Sequence, residues 1–184
     1  VDYNTSGKLS AQYNIDSSGW TDFTEGATIG SWYGVNINTE GVKSIGYNFT
    51  DNTRNSNSGT VTVKLDKTSP VTTASATIDT DRCLTAAAVL GRGCFEEYVF
   101  DSWTNKTVDV ELSCNDGSLS GCDSLNYLVN GVETNIFEPA LVSVSQLSDT
   151  ITKSLTFDQM GYYNITYWSA DKAGNTENVQ SVIV

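Results

Sequence analysis

The sequence predicts an all-β protein made of two tandem β-sandwich units. Three observations carry that expectation. Apolar and polar residues alternate in many short runs, a stretch of the chain recurs without a gap 120 residues later, and Ser, Thr, Asn and Gly are abundant. Lys, Arg and Glu, which helices favour, are few, so strands and turns are favoured over helices. Hydrophobic residues make up 39% of the 184 residues and aromatics 10%, enough for packed cores and too much for a disordered chain. Length alone is compatible with one domain or two. The repeat decides for two.

In chain order, Leu9, Ala11, Tyr13 and Ile15 alternate with polar residues, as do Ile45, Tyr47 and Phe49, and then Val61, Val63 and Leu65. Val108, Val110 and Leu112 follow the same rule, and so do Tyr163, Ile165 and Tyr167. A period of two places one face of each run on a core and the other in water. Turn-rich stretches over residues 51–59 and 114–121 separate the runs. The one helix candidate is Leu-Thr-Ala-Ala-Ala-Val-Leu at residues 84–90, barely two turns long. A boundary falls at Asp-Lys-Thr-Ser-Pro, residues 66–70, because Pro70 cannot continue a ladder begun at Leu65. The units are therefore 1–66 and 67–184, the second opening on Val71 and carrying an insertion around 79–100.

The repeat aligns residues 40–55 with 160–175: Gly41 matches Gly161, Ile45 Ile165, Tyr47 Tyr167, Asp51 Asp171 and Asn55 Asn175. A second echo links Tyr13-Asn-Ile-Asp with Tyr127-Leu-Val-Asn, each followed shortly by glycine. The first unit begins near the point that matches Leu112, so its opening strands are expected to be missing. Such a sandwich exposes unpaired edges. Either the chain is cut from a longer one, which is the favoured reading, or a neighbouring subunit supplies the strands by β-augmentation.

Four cysteines, Cys83, Cys94, Cys114 and Cys122, cluster within forty residues. There is no histidine and no C-x-x-C spacing, so mixed Cys/His zinc sites and redox motifs are excluded, and a site of all four cysteines is the weaker reading. The even count points to two disulfides and an oxidising compartment. Of three pairings the local one, Cys83–Cys94 with Cys114–Cys122, is favoured, the first closing the short insertion. Sequons at Asn4, Asn48, Asn105 and Asn164 permit N-glycosylation, although a chain so rich in Asn, Ser and Thr produces several by chance.

The net charge is −12, from ten basic and 22 acidic side chains. That field repels nucleic acid and anionic lipid, and no apolar run approaches the length of a membrane span. Without histidine, Ser-His-Asp and Cys-His arrangements are excluded. The carboxylate pairs Glu96/Glu97, Asp109/Glu111 and Asp79/Asp81 remain as glycosidase candidates, but Asp109 and Glu111 lie opposite the apolar face of their strand and read as solvent-facing. No catalysis is expected. Asp51, Asn55, Asp171 and Asn175 offer hard oxygen ligands for calcium, with Asp116 and Asp123 nearby. The favoured reading is that these residues shape turns by bonding their own backbone, because the spacing of a dedicated calcium loop is absent. Trp20, Trp32, Tyr33, Trp103 and Trp168 are the candidates for sugar stacking, although most read as core residues; alternation makes Trp168 the tryptophan expected to be exposed and turns one of Trp32 and Tyr33 outward.

Several motifs resemble a known family. Asp66-Lys-Thr-Ser-Pro-Val-Thr-Thr is similar to the linker between tandem bacterial and archaeal immunoglobulin-like repeats, and Asp171-Lys-Ala-Gly-Asn-Thr-Glu to the turn before their last strand. Ser113-Cys-Asn-Asp-Gly-Ser-Leu-Ser-Gly-Cys resembles their D-x-G-S-G loop, and Tyr13-Asn-Ile-Asp-Ser-Ser-Gly-Trp their Y-x-I-D-G-G-x-W strand and turn. Tyr163 resembles the tyrosine corner of such domains. The resemblance covers most of the chain apart from about residues 79–100. It implies immunoglobulin-like sandwiches in extracellular, surface-anchored proteins: stalks, S-layer components, filaments or pili. Neighbouring modules or identical subunits would be the partners, and the modules would carry no catalysis or cofactor. The alternative it leaves open is adhesion to a glycan or a surface protein.

Overall fold

The computed structural model describes residues 7–23, 28–29, 32–79, 95–117, 119–131, 138–142 and 150–184, and these contain strands and turns but no helix. The expected helix at 84–90, the Cys83–Cys94 bridge, Asp81 and Asn4 lie outside the described residues. The chain divides into two compact units, Val1–Asp66 and Lys67–Val184.

Unit 2 contains two four-stranded antiparallel sheets. Strands β7 (Val71–Asp79), β8 (Phe95–Glu97), β9 (Val108–Asn115) and β12 (Thr150–Phe157) form the first, in the order β12-β9-β7-β8. Strands β10 (Cys122–Gly131), β11 (Glu138–Val142), β13 (Tyr163–Asp171) and β14 (Gln180–Ile183) form the second, in the order β11-β10-β13-β14. The alternation read from sequence is the alternation of burial. Val108, Val110, Leu112 and Cys114 of β9 are 0–2% exposed, and Tyr163, Ile165 and Tyr167 of β13 are 0–4% exposed. With Leu125, Tyr127 and Val129 of β10 and Ile151 of β12 they form one core drawn from both sheets. Part of the expected insertion is itself sheet: Phe95, Glu96 and Glu97 pair with Asp79, Ile78 and Thr77 as an edge strand.

Among its described residues, unit 1 repeats the second of these sheets. Strands β1 (Lys8–Ile15), β2 (Thr21–Asp22), β5 (Gly41–Asp51) and β6 (Ser56–Leu65) lie in the order β2-β1-β5-β6, beside a two-stranded ladder of β3 (Thr28–Ile29) and β4 (Trp32–Tyr33). The correspondence extends to register. Tyr13 faces Tyr47 and Ile15 faces Ile45 across β1 and β5, as Tyr127 faces Tyr167 and Val129 faces Ile165 across β10 and β13. Both pairs also open with an irregularity, between Lys8 and Ser10 in one and between Cys122 and Ser124 in the other.

Burial distinguishes the two copies. Tyr127 and Tyr167 are 2% and 4% exposed, whereas their counterparts Tyr13 and Tyr47 are only half-buried. Phe23, Tyr33 and Phe49 cluster with them, with ring centroids 4.9–5.9 Å apart. Leu9 and Val61, on runs that the alternation assigns to a core, remain 57% and 50% exposed.

Candidate functional site

The repeated aspartates build the same turn twice. Asp51 and Asp171 each end a strand, and each accepts through Oδ1 from the backbone N–H four residues on, at 2.8 Å, and through Oδ2 from that residue's Nδ2, also at 2.8 Å. The backbone N–H of each aspartate is donated to the carbonyl of Asn55 or Asn175 at 3.0 Å. The turn needs a left-handed residue at its fourth position. Gly174 meets that need at φ +93°, and Arg54 adopts φ +68° in the same place. Asp and Asn thus shape the backbone of their own turns, and Asn175 Nδ2 also donates to the Thr68 carbonyl at 3.3 Å.

The adjoining loop of unit 2 differs. A disulfide joins Cys114 at the end of β9 to Cys122 at the start of β10, linking the two sheets across a separation of eight residues. Asp116 lies inside the loop that this bond closes and is 6% exposed. Its Oδ2 accepts from the Gly121 N–H at 2.6 Å and from Ser120 Oγ at 3.3 Å, while Oδ1 is buried with no hydrogen-bond partner. Carboxylate oxygens of Asp116 and Asp171 approach within 4.8 Å, and Asp171 is 3% exposed. The Lys172 N–H donates to the Gly121 carbonyl at 3.0 Å, which ties the disulfide loop to the Asp171 turn. Asp123, considered beside Asp116 from the sequence, is exposed.

A second polar cluster was not legible in the sequence. Glu177 accepts from the Thr72 N–H at 2.9 Å, from Ser169 Oγ at 2.7 Å and from the Thr72 hydroxyl, and Gln180 Nε2 reaches it at 3.0 Å. Thr72 and Ser169 are 2% and 0% exposed, so this carboxylate satisfies hydroxyls that otherwise lack water, and it fastens β7 to β13. Burial, followed by the charge of Glu177, raises the Tyr167 phenol above its ordinary value of 10.0. In unit 1, Asp16 accepts from the Ser44 N–H at 2.8 Å and pairs with Lys43 at 3.2 Å. These two contacts, in that order, hold its carboxyl below the ordinary 3.8.

The exposed tryptophans are not those expected. Trp103 is 96% exposed and Trp20 51%, whereas Trp168 is half-buried. Trp168 does lie on the outer face, but β13 is a central strand and its neighbours on β10 and β14 shield part of that face. Trp103 sits in a loop, where no alternation guides a reading. With Met160, Tyr162, Lys106 and Phe157 it lines an open groove of about 230 Å³ on unit 2. Tyr33 packs inward against Phe23 and Phe49, and the Trp32 side chain lies outside the described residues. The Tyr163 hydroxyl donates to the Gln159 carbonyl at 3.2 Å, the bond of a tyrosine corner.

Among the acidic pairs, Glu96 and Glu97 are exposed on the edge strand, and Asp79 is exposed at the end of β7. Asp109 accepts from Thr156 Oγ1 at 2.6 Å on the outer face of β9, and Glu111 beside it is exposed. Asp109 and Glu111 both line a shallow, open depression together with Ser75, Thr77 and Ser154. Of the described sequons, Asn105 is exposed, Asn48 is half-buried, and Asn164 buries its Oδ1 on the central strand β13. No family model, curated protein or solved structure matches the chain at a significant level.

Proposed function

We propose that this chain is a non-enzymatic, extracellular structural module of a surface protein, stalk, S-layer or filament, formed of tandem immunoglobulin-like units. In this reading the sheet of unit 1 is completed by a second sheet from a neighbouring module or another copy. One observation carries it. The sheet β2-β1-β5-β6 repeats β11-β10-β13-β14 in register, opening irregularity and closing turn, yet its aromatic face stays half-exposed where the unit 2 counterpart is covered by β12-β9-β7. A face carrying Tyr13, Tyr47, Phe49, Phe23 and Tyr33 represents several kcal/mol of hydrophobic free energy, at roughly 25 cal/mol per Å² of apolar surface buried. Covering that face takes a second sheet packed against it, and strand complementation from a neighbouring copy is one way to supply the strands of that sheet. The test is light scattering with negative-stain microscopy on the 184-residue chain across a concentration series. Defined oligomers or filaments that dissolve in a Tyr13→Ser/Tyr47→Ser variant support assembly. A stable monomer at all concentrations removes self-complementation and leaves a spacer completed by another chain segment.

A second reading is favoured by the groove at Trp103. Exposed Trp103 and Tyr162 beside Lys106 offer flat apolar faces with polar neighbours, the arrangement that stacks on sugars. Glycan binding through this surface predicts quenching of Trp103 fluorescence on titration with oligosaccharides, lost in Trp103→Ala. An unchanged signal across a glycan panel eliminates it.

A further inference from the structure

We infer that Asp116 and Asp171 hold a hard divalent cation, calcium, at the junction of the disulfide loop with the β13 turn of unit 2. A carboxylate has about four lone-pair sites over its two oxygens. Asp171 uses three of them for the N–H groups of Ala173 and Asn175 and for Asn175 Nδ2, which leaves one on Oδ2. Asp116 spends Oδ2 on Gly121 and Ser120 and leaves Oδ1 with none of its capacity used, although the residue is 6% exposed. A charged oxygen without a partner in so buried a position is rare, because desolvation is not compensated there. A second carboxylate within 4.8 Å, on a residue 3% exposed, adds like-charge repulsion. Both penalties vanish when a cation sits between the two groups.

The chemistry of the donors selects the ion. Each is a hard carboxylate oxygen, the chain has no histidine, and Cys114 and Cys122 are committed to their disulfide, so among the described residues of this junction no soft ligand competes. Calcium takes six to eight oxygens in flexible geometry, and two carboxylates leave the rest to carbonyl groups and water. That places the affinity in the weak range of extracellular modules, about 10⁻⁴ to 10⁻³ M. Among the described residues, no such group of acidic side chains forms at the counterpart turn in unit 1. Lys8 occupies the strand position that Cys122 holds in unit 2, and residues 1–66 contain no cysteine.

The experiment is thermal unfolding and titration calorimetry of the full chain with calcium chloride, against the same protein in EDTA. At 10 mM calcium and a Kd of about 1 mM, the unfolding constant of unit 2 falls about tenfold, and its Tm rises. Asp116→Asn keeps an oxygen for the Gly121 N–H and removes the orphan charge. It is expected to melt no lower than the wild type in EDTA and to lose the calcium response. A purely structural Asp116 would instead make Asp116→Asn less stable by the same amount in both buffers. Asp51→Asn, altered at the unit 1 turn, should retain the full response. A wild-type chain that shows neither heat nor a Tm change at 10 mM calcium overturns the assignment. So does an undiminished response in Asp116→Asn, or loss of the response in Asp51→Asn.

Discussion

Replacing Cys114 and Cys122 together by alanine tests how much of unit 2 depends on the link between its sheets. The double variant avoids a stray thiol that Cys83 or Cys94 could capture. A bridge across a separation of eight residues restricts the unfolded chain by about 2.5 kcal/mol in the loop-entropy description. Both cysteines are almost fully buried, 0% and 2% exposed, so losing their sulfur contacts adds to that cost. With an m-value of about 2 kcal/mol per M of urea, the unit 2 midpoint falls by more than about 1 M. The assay is urea unfolding followed by tryptophan fluorescence in a Trp20→Phe/Trp32→Phe background. Trp103 is 96% exposed and reports little, which leaves half-buried Trp168 as the unit 2 signal. An unshifted midpoint would refute the reasoning, because the loop would then be held by its hydrogen bonds alone.

Other predictions concern unit 1. Arg54→Gly should stabilise it by about 0.5–1 kcal/mol in urea unfolding, because left-handed backbone costs about 1–2 kcal/mol at a non-glycine residue and glycine returns part of that as unfolded-state entropy. A loss of stability would show that the Arg54 side chain matters more than its φ of +68°. Gly59→Ala should cost about 1–3 kcal/mol, because a Cβ there would collide with the Tyr47 hydroxyl and lie 2.6 Å from its Cζ, forcing the ring off its place across the strand pair. Asp16→Asn should destabilise unit 1 at neutral pH but not in strong acid. The folded-state pKa of Asp16 is lowered, so its contribution is present above the ordinary 3.8 and disappears as pH falls through the lower folded value. A difference between Asp16→Asn and the wild type that persists unchanged in acid contradicts this.

Much of the fold was legible because it is periodic. Strand β13 alternates buried and half-buried positions over its whole length, and the sequence displays that pattern from Tyr163 to Tyr167, beyond which the buried positions are the polar Ser169 and Asp171. The 120-residue repeat made the Asp51 and Asp171 turns legible as one device, since the same two side chains shape both backbones. The short Cys114–Cys122 spacing made their bridge the favoured local pairing, and the structure contains it. What was not legible depends on contacts distant in sequence. Thr72 meets Glu177 across 105 residues, and no local pattern connects a strand threonine to a glutamate beyond the final turn. The exposure of Trp103 follows from loop placement and that of Trp168 from the neighbours of a central strand, neither of which alternation encodes. Asp116 was visible as a loop aspartate, but its unpartnered oxygen appears only once Gly121 and Ser120 claim the other.

The most direct test of the central claim is amide hydrogen exchange, resolved by strand, on the full chain at low and high concentration. Matched positions provide internal standards: Tyr13, Ile45 and Tyr47 in unit 1 against Tyr127, Ile165 and Tyr167 in unit 2. The account predicts that a dilute chain protects the unit 2 set far more strongly, because exposed, thinly covered sheet opens at low cost. It also predicts that the unit 1 set gains protection as concentration rises and its aromatic face is covered. Equal protection of the two sets in the dilute chain would show that unit 1 is already complete by itself, and would contradict the account.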